Sequence, residues 1–211
     1  MDITLVATRP LRYLLAAPAA DVPAAQRPVL CFLHGYDEAA PLDIHQALTR
    51  HGPLWPGAVP RVREEFIVVA PQLPAAGDLW YRYADTVLEI VTEVQALGGG
   101  DPARTYLTGF SFGGNGVFDL ALAQPGLWAA LWPVDPTRPP PRDPLRPVWL
   151  SIGAAARLGR ELFVQALNLQ PAEALPQGDR LYLDERQGHV SAARAAYADQ
   201  RIYRWLLSKR L

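Results

Sequence analysis

Residues 105–114 read Thr-Tyr-Leu-Thr-Gly-Phe-Ser-Phe-Gly-Gly, and the rest of the chain is read outward from them. The first four form a short β-prone run, residues 105–108. The pattern from 114 to 124 is that of a helix, stopped by Pro125-Gly126. Ser111 therefore stands between Gly109 and Gly113 on a sharp turn from strand to helix. This is G-x-S-x-G in the setting its chemistry needs. A Cβ at either glycine would clash in so tight a turn. The Phe112 N–H lies at a helix N-terminus, where the dipole favours an oxyanion. Ser111 is the candidate nucleophile.

The flanking chain supplies further strands and helices. Residues 29–33 (VLCFL) and 66–70 (FIVVA, stopped by Pro71) are unbroken apolar runs, the mark of strands buried on both faces. Further strands are expected at 129–134, 148–152 and 181–183. Residues 3–8 and 12–16 are expected to pair as an antiparallel hairpin at a sheet edge. Residues 19–28 read as a Pro- and Ala-rich loop. Helices are expected at 43–51, at 83–97 and as one closing helix at 191–208. In the second of these, Val87, Ile90, Val91, Val94 and Leu97 recur at helical spacing before Gly98-Gly99-Gly100. Solid apolar strands alternating with amphipathic helices predict a mostly parallel central sheet with helices on both faces. Ligands of such sheets bind at the carboxyl ends of the strands.

Length and composition narrow the class. The 211 residues suit one domain, residues 1–211. Half the residues are hydrophobic and 19% are charged, which argues against a disordered chain. Lys plus Arg is 20 and Asp plus Glu is 21, so no electrostatic footprint for nucleic acid is expected. A lone cysteine, Cys31, excludes a disulfide framework or a multi-Cys zinc site within the chain. The apolar part of residues 9–20 is shorter than the roughly 7–15 residues of a secretory h-region. No apolar run approaches the roughly 18 residues that span a bilayer. The expectation is a cytoplasmic protein without a membrane partner. Six of the twelve residues 136–147 are proline, a rigid loop too short for a lid domain.

Two more segments bear on the serine. His34-Gly35-Tyr36 follows the VLCFL strand, where the Tyr36 N–H would be the second oxyanion donor. His34 itself is read as holding that loop in place. His189 follows the LYLD strand and precedes the last helix, so it can fold back over the carboxyl edge as the general base. The order, serine first and histidine last, fits this pattern. His45 and His51 fall on or after a surface helix and take no role. Trp55, Trp80 and Tyr81 are candidate cleft residues, with core packing an equal alternative.

On these residues the chain resembles the α/β-hydrolase superfamily. Within it, the chain is similar to small serine esterases and predicted peptidases related to phospholipase/carboxylesterases and polyhydroxybutyrate depolymerases. The resemblance runs through LRYLLAAP, VLCFLHGYDE, FIVVAPQLP, GDPARTYLTGFSFGGNGVFDLA, PVWLSIG and GHVSAARAAYADQRIYRWLLSKR. Gly114 matches the family's second elbow glycine, and Asp101, Pro102 and Arg104 match its Asp-Pro-x-Arg. Tyr197 and Trp205-Leu206 match packing residues of its tail. One departure stands out. Where the family reads H-G-x-x-D after PVWLS, this chain has Ile152-Gly153-Ala154-Ala155-Ala156. Ala156 thus occupies the usual position of the acid. Asp135, at the end of LWPVD, is the leading replacement. Glu161, Asp184 and Glu185 are alternatives, and an absent acid stays open.

The resemblance implies acyl transfer to water. Ser111 would attack an ester carbonyl, His189 would take its proton, and the N–H groups of Tyr36 and Phe112 would hold the oxyanion. No metal or organic cofactor is required. The expected partner is a small-molecule or polymer-end ester, possibly a thioester or peptide. Two rivals remain. One is a catalytically impaired binding protein on this scaffold, suggested by Ala156. The other is an acyltransferase using the same serine. A carboxylate within hydrogen-bond reach of His189 Nδ1 would favour the enzyme. The chain is expected to be a monomer or a homodimer; exposed aromatic residues near the C-terminus would suit the latter.

Overall fold

The computed structural model describes residues 3–7, 10–18 and 27–211, with Arg63 described by its backbone alone. Thr8 of the first expected strand, Arg9 and residues 19–26 of the expected loop lie outside the described residues.

Among the described residues, nine strands form one sheet. They are β1 (Ile3–Val6), β2 (Tyr13–Ala16), β3 (Arg27–Leu33), β4 (Ile67–Pro71), β5 (Gly100–Phe110), β6 (Ala130–Val134), β7 (Val148–Ile152), β8 (Gln170–Pro171) and β9 (Arg180–Asp184). Their order across the sheet is β1-β2-β4-β3-β5-β6-β7-β9-β8. The β1–β2 and β2–β4 pairs are antiparallel and all others are parallel. The hairpin at the edge is therefore present, and β2 continues it onto β4.

The apolar runs are buried on both faces because alternate side chains point opposite ways. Leu30 and Phe32 of β3, Val68 and Ala70 of β4 and Trp132 of β6 enter one hydrophobic cluster. Val29, Cys31 and Leu33, Ile67 and Val69, and Leu131 enter the other. Helices α1 (Ile44–Leu48), α2 (Pro60–Glu65), α7 (His189–Tyr197) and α8 (Gln200–Leu207) cover the first face with Leu48, Val62, Ala196 and Ile202. Helices α3 (Ala84–Gly98), α4 (Phe112–Ala123) and α6 (Arg160–Leu167) cover the second with Ile90, Val117 and Phe163. A short α5 (Ala154–Arg157) follows β7. Among the described residues, no helix is long and apolar enough to cross a membrane.

Several expectations are corrected. The closing helix is two helices, broken at Ala198-Asp199, because the Asp199 side chain caps α8 by accepting the Arg201 N–H. The first of them starts at His189 rather than Ser191. Strand β5 begins at Gly100, five residues early, since Gly100 pairs with Arg27 before the register shifts. Pro71 is the last paired residue of β4, opposite Tyr13, and not a stop before it. The elements α2, α5 and β8 were not anticipated, whereas α6 starts where Glu161 suggested a helix start. The C-terminal aromatics are core, not surface: Tyr197, Tyr203 and Trp205 are buried, packed on Phe32, Trp132 and Trp149.

Candidate active site

Ser111 sits between β5 and α4 with φ 56° and ψ −114°. A non-glycine residue rarely adopts a positive φ, and such a strained residue costs about 1–3 kcal/mol. The surroundings hold it there. The Ser111 N–H donates to the Val134 carbonyl at 2.9 Å, and its own carbonyl accepts the Asn115 N–H at 3.2 Å. The glycines make the turn possible: a Cβ on Gly109 would collide with the Gly113 carbonyl, and one on Gly113 with the Leu33 carbonyl oxygen. Gly114 is nearly as confined, between Val134 and Pro136.

His189 opens α7, and both of its ring nitrogens are engaged. Nε2 lies 2.8 Å from Ser111 Oγ and Nδ1 lies 2.5 Å from Asp135 Oδ2. The Phe110 ring packs against the imidazole, centroids 4.7 Å apart. The sheet brings these three residues together: β5 and β6 are parallel neighbours, so Ser111 and Asp135 leave the same carboxyl edge.

Asp135 follows β6 with φ 43° and is fully buried. Its Oδ1 accepts the N–H groups of Gly153 at 2.9 Å and Ala156 at 2.8 Å, and its Oδ2 accepts that of Ala155 at 3.3 Å. Gly153 has to be glycine, because a Cβ there would stand 2.5 Å from Asp135 Oδ2 and 2.6 Å from Ala192 Cβ. Ala156, in the expected acid's place, instead donates its backbone N–H to the Asp135 carboxylate. The other candidate acids are occupied elsewhere. Glu161 is exposed and pairs with Arg160. Asp184 is gripped by Arg157, whose guanidinium holds its carboxyl below the usual range. Burial pushes Glu185 up to about 7, with the Asp199 and Asp184 charges adding to the shift and Arg201 and Ser151 opposing it.

The two expected oxyanion donors, Phe112 and Tyr36, lie at the start of α4 and just beyond β3. The Phe112 N–H heads α4 and has no carbonyl one turn back to bond. Tyr36 opens a 3-10 turn, Tyr36–Glu38, and its ring stands edge-on to Phe112 at 5.9 Å. His34 is buried under this loop. Its Nε2 accepts the Leu73 N–H at 2.9 Å, so Nδ1 carries the proton and donates to the Gly35 carbonyl at 2.5 Å. Burial pushes His34 down to about 4, which keeps the ring neutral. The carbonyl it holds belongs to the same peptide plane as the Tyr36 N–H, so His34 aims that N–H the opposite way.

Three of the solved structures that resemble this chain illustrate the likeness. A thermostable esterase superimposes with a TM-score of 0.77 at 20% identity, over all of this chain and 63% of its own. The chain thus spans under two thirds of that esterase's length. The S-formylglutathione hydrolase FrmB of Staphylococcus aureus matches with a TM-score of 0.71 at 14% identity, over 98% of this chain and 96% of its own. A feruloyl esterase module from Clostridium thermocellum matches with a TM-score of 0.68 at 12% identity, over 95% and 87%. The chain has the α/β-hydrolase fold. No protein-family model and no curated protein matches the sequence. At these identities the likeness is one of fold, and the chemistry has to be read from the side chains.

Within the α/β-hydrolase fold several sequence expectations change. Trp80 is core: it is buried, its indole N–H donates to the His34 carbonyl at 3.3 Å, and its ring fills the space beside Gly116. Trp55 is half-buried under the Arg194 guanidinium, and Tyr81 is exposed beside Arg82. His51 is not a surface residue. It is buried, 3.4 Å from the equally buried Glu38. His45 is exposed on α1. Burial pushes the Cys31 thiol well up, so it is no nucleophile. Among the described residues, no cluster of three or more His, Cys, Asp or Glu side chains is placed to hold a metal. The Glu38–His51 pair and the Gly153 N–H bond to Asp135 escaped the sequence reading, since nothing local marks a residue whose partner is distant in the chain.

Proposed function

We propose that the chain is a serine hydrolase cleaving a carboxylic ester through an acyl-enzyme on Ser111. The observation that carries this reading is the continuous hydrogen-bonded chain Ser111 Oγ, His189 and Asp135. As Ser111 attacks the carbonyl, His189 Nε2 takes the hydroxyl proton, and the substrate oxygen becomes an oxyanion facing the N–H groups of Tyr36 and Phe112. The imidazolium then gives that proton to the leaving alcohol. Water attacks the acyl-enzyme, His189 takes its proton, and the acid leaves as Ser111 Oγ is reprotonated. Asp135 stays a carboxylate, fixing the tautomer of His189 and stabilising the imidazolium.

The same observation weighs against the binding-protein reading, which rested on a missing acid. A strained Ser111 that served no reaction would cost stability without return. The esterase names of the structural neighbours agree with ester cleavage. The substrate is a small-molecule or polymer-end ester, with thioesters as chemical relatives. Transfer to an acceptor other than water uses the same residues.

The test is hydrolysis of p-nitrophenyl acetate and butyrate by the wild type, Ser111→Ala and Asp135→Asn. The wild type is expected to turn over and Ser111→Ala to fall to background. Asp135→Asn is expected to lose about 10³–10⁴-fold in kcat, as the histidine loses its orienting carboxylate. A wild type no faster than Ser111→Ala overturns the reading.

A further inference from the structure

Beneath the oxyanion loop lies a buried carboxylate–imidazole pair that the mechanism above leaves unused. Glu38 ends the 3-10 turn Tyr36–Glu38 and folds its side chain back under Gly35. Its Oε2 lies 2.8 Å from where a Gly35 Cβ would stand. The Gly35 N–H is directed at the same carboxylate and offsets part of its desolvation. His51 Nε2 lies 3.4 Å from Oε1. The two side chains are 7% and 8% exposed, so neither is there for water.

The state of His51 follows from its surroundings. Its Nδ1 is buried with no hydrogen-bond partner among the described residues. A bare lone pair is a smaller penalty there than an unpaired N–H⁺. Burial together with Arg50, Arg194 and His189 pushes the ring down to about 4. His51 is therefore neutral, with its proton on Nε2 facing Glu38. The titratable groups facing Glu38, besides His51, are Arg50, Asp37 and His189. The His51 ring stands edge-on to Phe110 at 5.1 Å, and Phe110 packs on His189. The pair is thus contiguous with both halves of the site.

Gly35 is the most permissive residue in this loop, and it immediately precedes the Tyr36 N–H. It adopts φ −76° and ψ −174°, one extended conformation among the many open to glycine. His34 fixes its carbonyl; something must fix its N–H. We propose that Glu38, braced by His51, is a positioning residue that clamps the Gly35 N–H and so sets the direction in which the Tyr36 N–H meets the oxyanion. The inference rests on the serine-hydrolase reading above. A donor that is pre-aimed acts in the transition state and not on the ground-state carbonyl, so the effect belongs in kcat.

The experiment compares wild type, Ser111→Ala, Glu38→Ala, Glu38→Gln and His51→Phe on p-nitrophenyl butyrate, with butylboronic acid as a transition-state mimic and a thermal melt of each. Glu38→Ala is expected to lose about 10–100-fold in kcat, with KM changed less than about threefold, and to bind the boronic acid correspondingly more weakly. Glu38→Gln keeps an acceptor for the Gly35 N–H and is expected to recover most of that loss. A folded Glu38→Ala with wild-type kcat, a loss confined to KM, or a folded Glu38→Gln as slow as Glu38→Ala overturns the proposal. Should Glu38→Ala not fold, His51→Phe decides: it keeps the ring on Phe110 but removes the N–H. A several-fold fall in kcat upholds the clamp, and wild-type kcat overturns it. A wild type no faster than Ser111→Ala brings down the hydrolase reading and this inference together. A fast wild type with an equally fast Glu38→Ala brings down this inference alone.

Discussion

The Asp135 carboxylate accepts N–H groups from Gly153, Ala155 and Ala156 and still offers Oδ2 to His189. Its environment is complete, with no vacancy for a second acid. Ala156 is fully buried beside it. An aspartate introduced at that position would bury a second negative charge next to the first. At about 4 Å and an effective dielectric near 20, the repulsion alone is on the order of 4 kcal/mol. Ala156→Asp is therefore expected to lower both the melting temperature and kcat on p-nitrophenyl butyrate. A variant faster than wild type would mean that Asp135 is not the working acid. Within the proposed site, Ser111 and His189 were legible because each sits in a local pattern, a glycine-framed turn and the start of the segment after the last long strand. Asp135, the proposed acid, was less so. The Asp135 N–H bonds the Ser151 carbonyl, and this β6–β7 register is what carries Asp135 to Gly153. Register is set by packing over distances that no short motif records.

At the scale of elements, α7 and α8 show what periodicity can and cannot see. Ala195, Ala196, Ile202, Tyr203, Leu206 and Leu207 recur as if on one face, and one helix was expected. Ala196 before the break and Ile202, Tyr203 and Leu206 after it enter the same hydrophobic cluster, so the hydrophobic pattern passes through it undisturbed. What divides the helices is a polar device: Asp199 is extended, and its carboxylate accepts the Arg201 N–H at 2.8 Å while pairing with the Arg201 guanidinium. An aspartate inside a helix is a weak former but a strong N-cap. Asp199→Ala is expected to cost about 1 kcal/mol, a fall of about 2–4 °C in the melting temperature for a chain of this length. An unchanged melting temperature in a calorimetric scan would show that packing alone positions α8. The long buried strands were legible for the converse reason. Burial on both faces leaves a continuous apolar run, which needs no partner to be recognised.

At the scale of the whole molecule, three buried titratable groups and the half-buried Glu185 pull stability in opposite directions with pH. His34 and His51 are both pushed down to about 4 in the fold, against about 6.5 for an unfolded histidine. Their contribution is fully present above pH 6.5 and is lost as pH falls towards 4. Glu38 and Glu185 are pushed up, Glu185 from the usual carboxylate range to about 7, chiefly by burial. For a carboxyl raised in the fold the sign is reversed. Its contribution is fully present below its unfolded value, about 4.5, and is lost as pH rises through the folded value. Glu185 is the member of this set that can be removed without touching the proposed site. One of its oxygens, Oε1, is buried without a hydrogen-bond partner among the described residues. Glu185→Gln keeps the shape and abolishes the charge. A shift of about two and a half units corresponds to roughly 3 kcal/mol between the two protonation states. The variant is therefore expected to exceed wild type in stability by on the order of 2–3 kcal/mol at pH 8. At pH 4.5 the advantage should nearly vanish, because both chains then carry a neutral side chain in the fold. Urea unfolding of the two proteins at the two pH values measures this directly. Equal stability at pH 8 would mean that Arg201 neutralises the buried carboxylate completely, and the acid limb of the stability curve would then belong to His34 and His51 without opposition from Glu185.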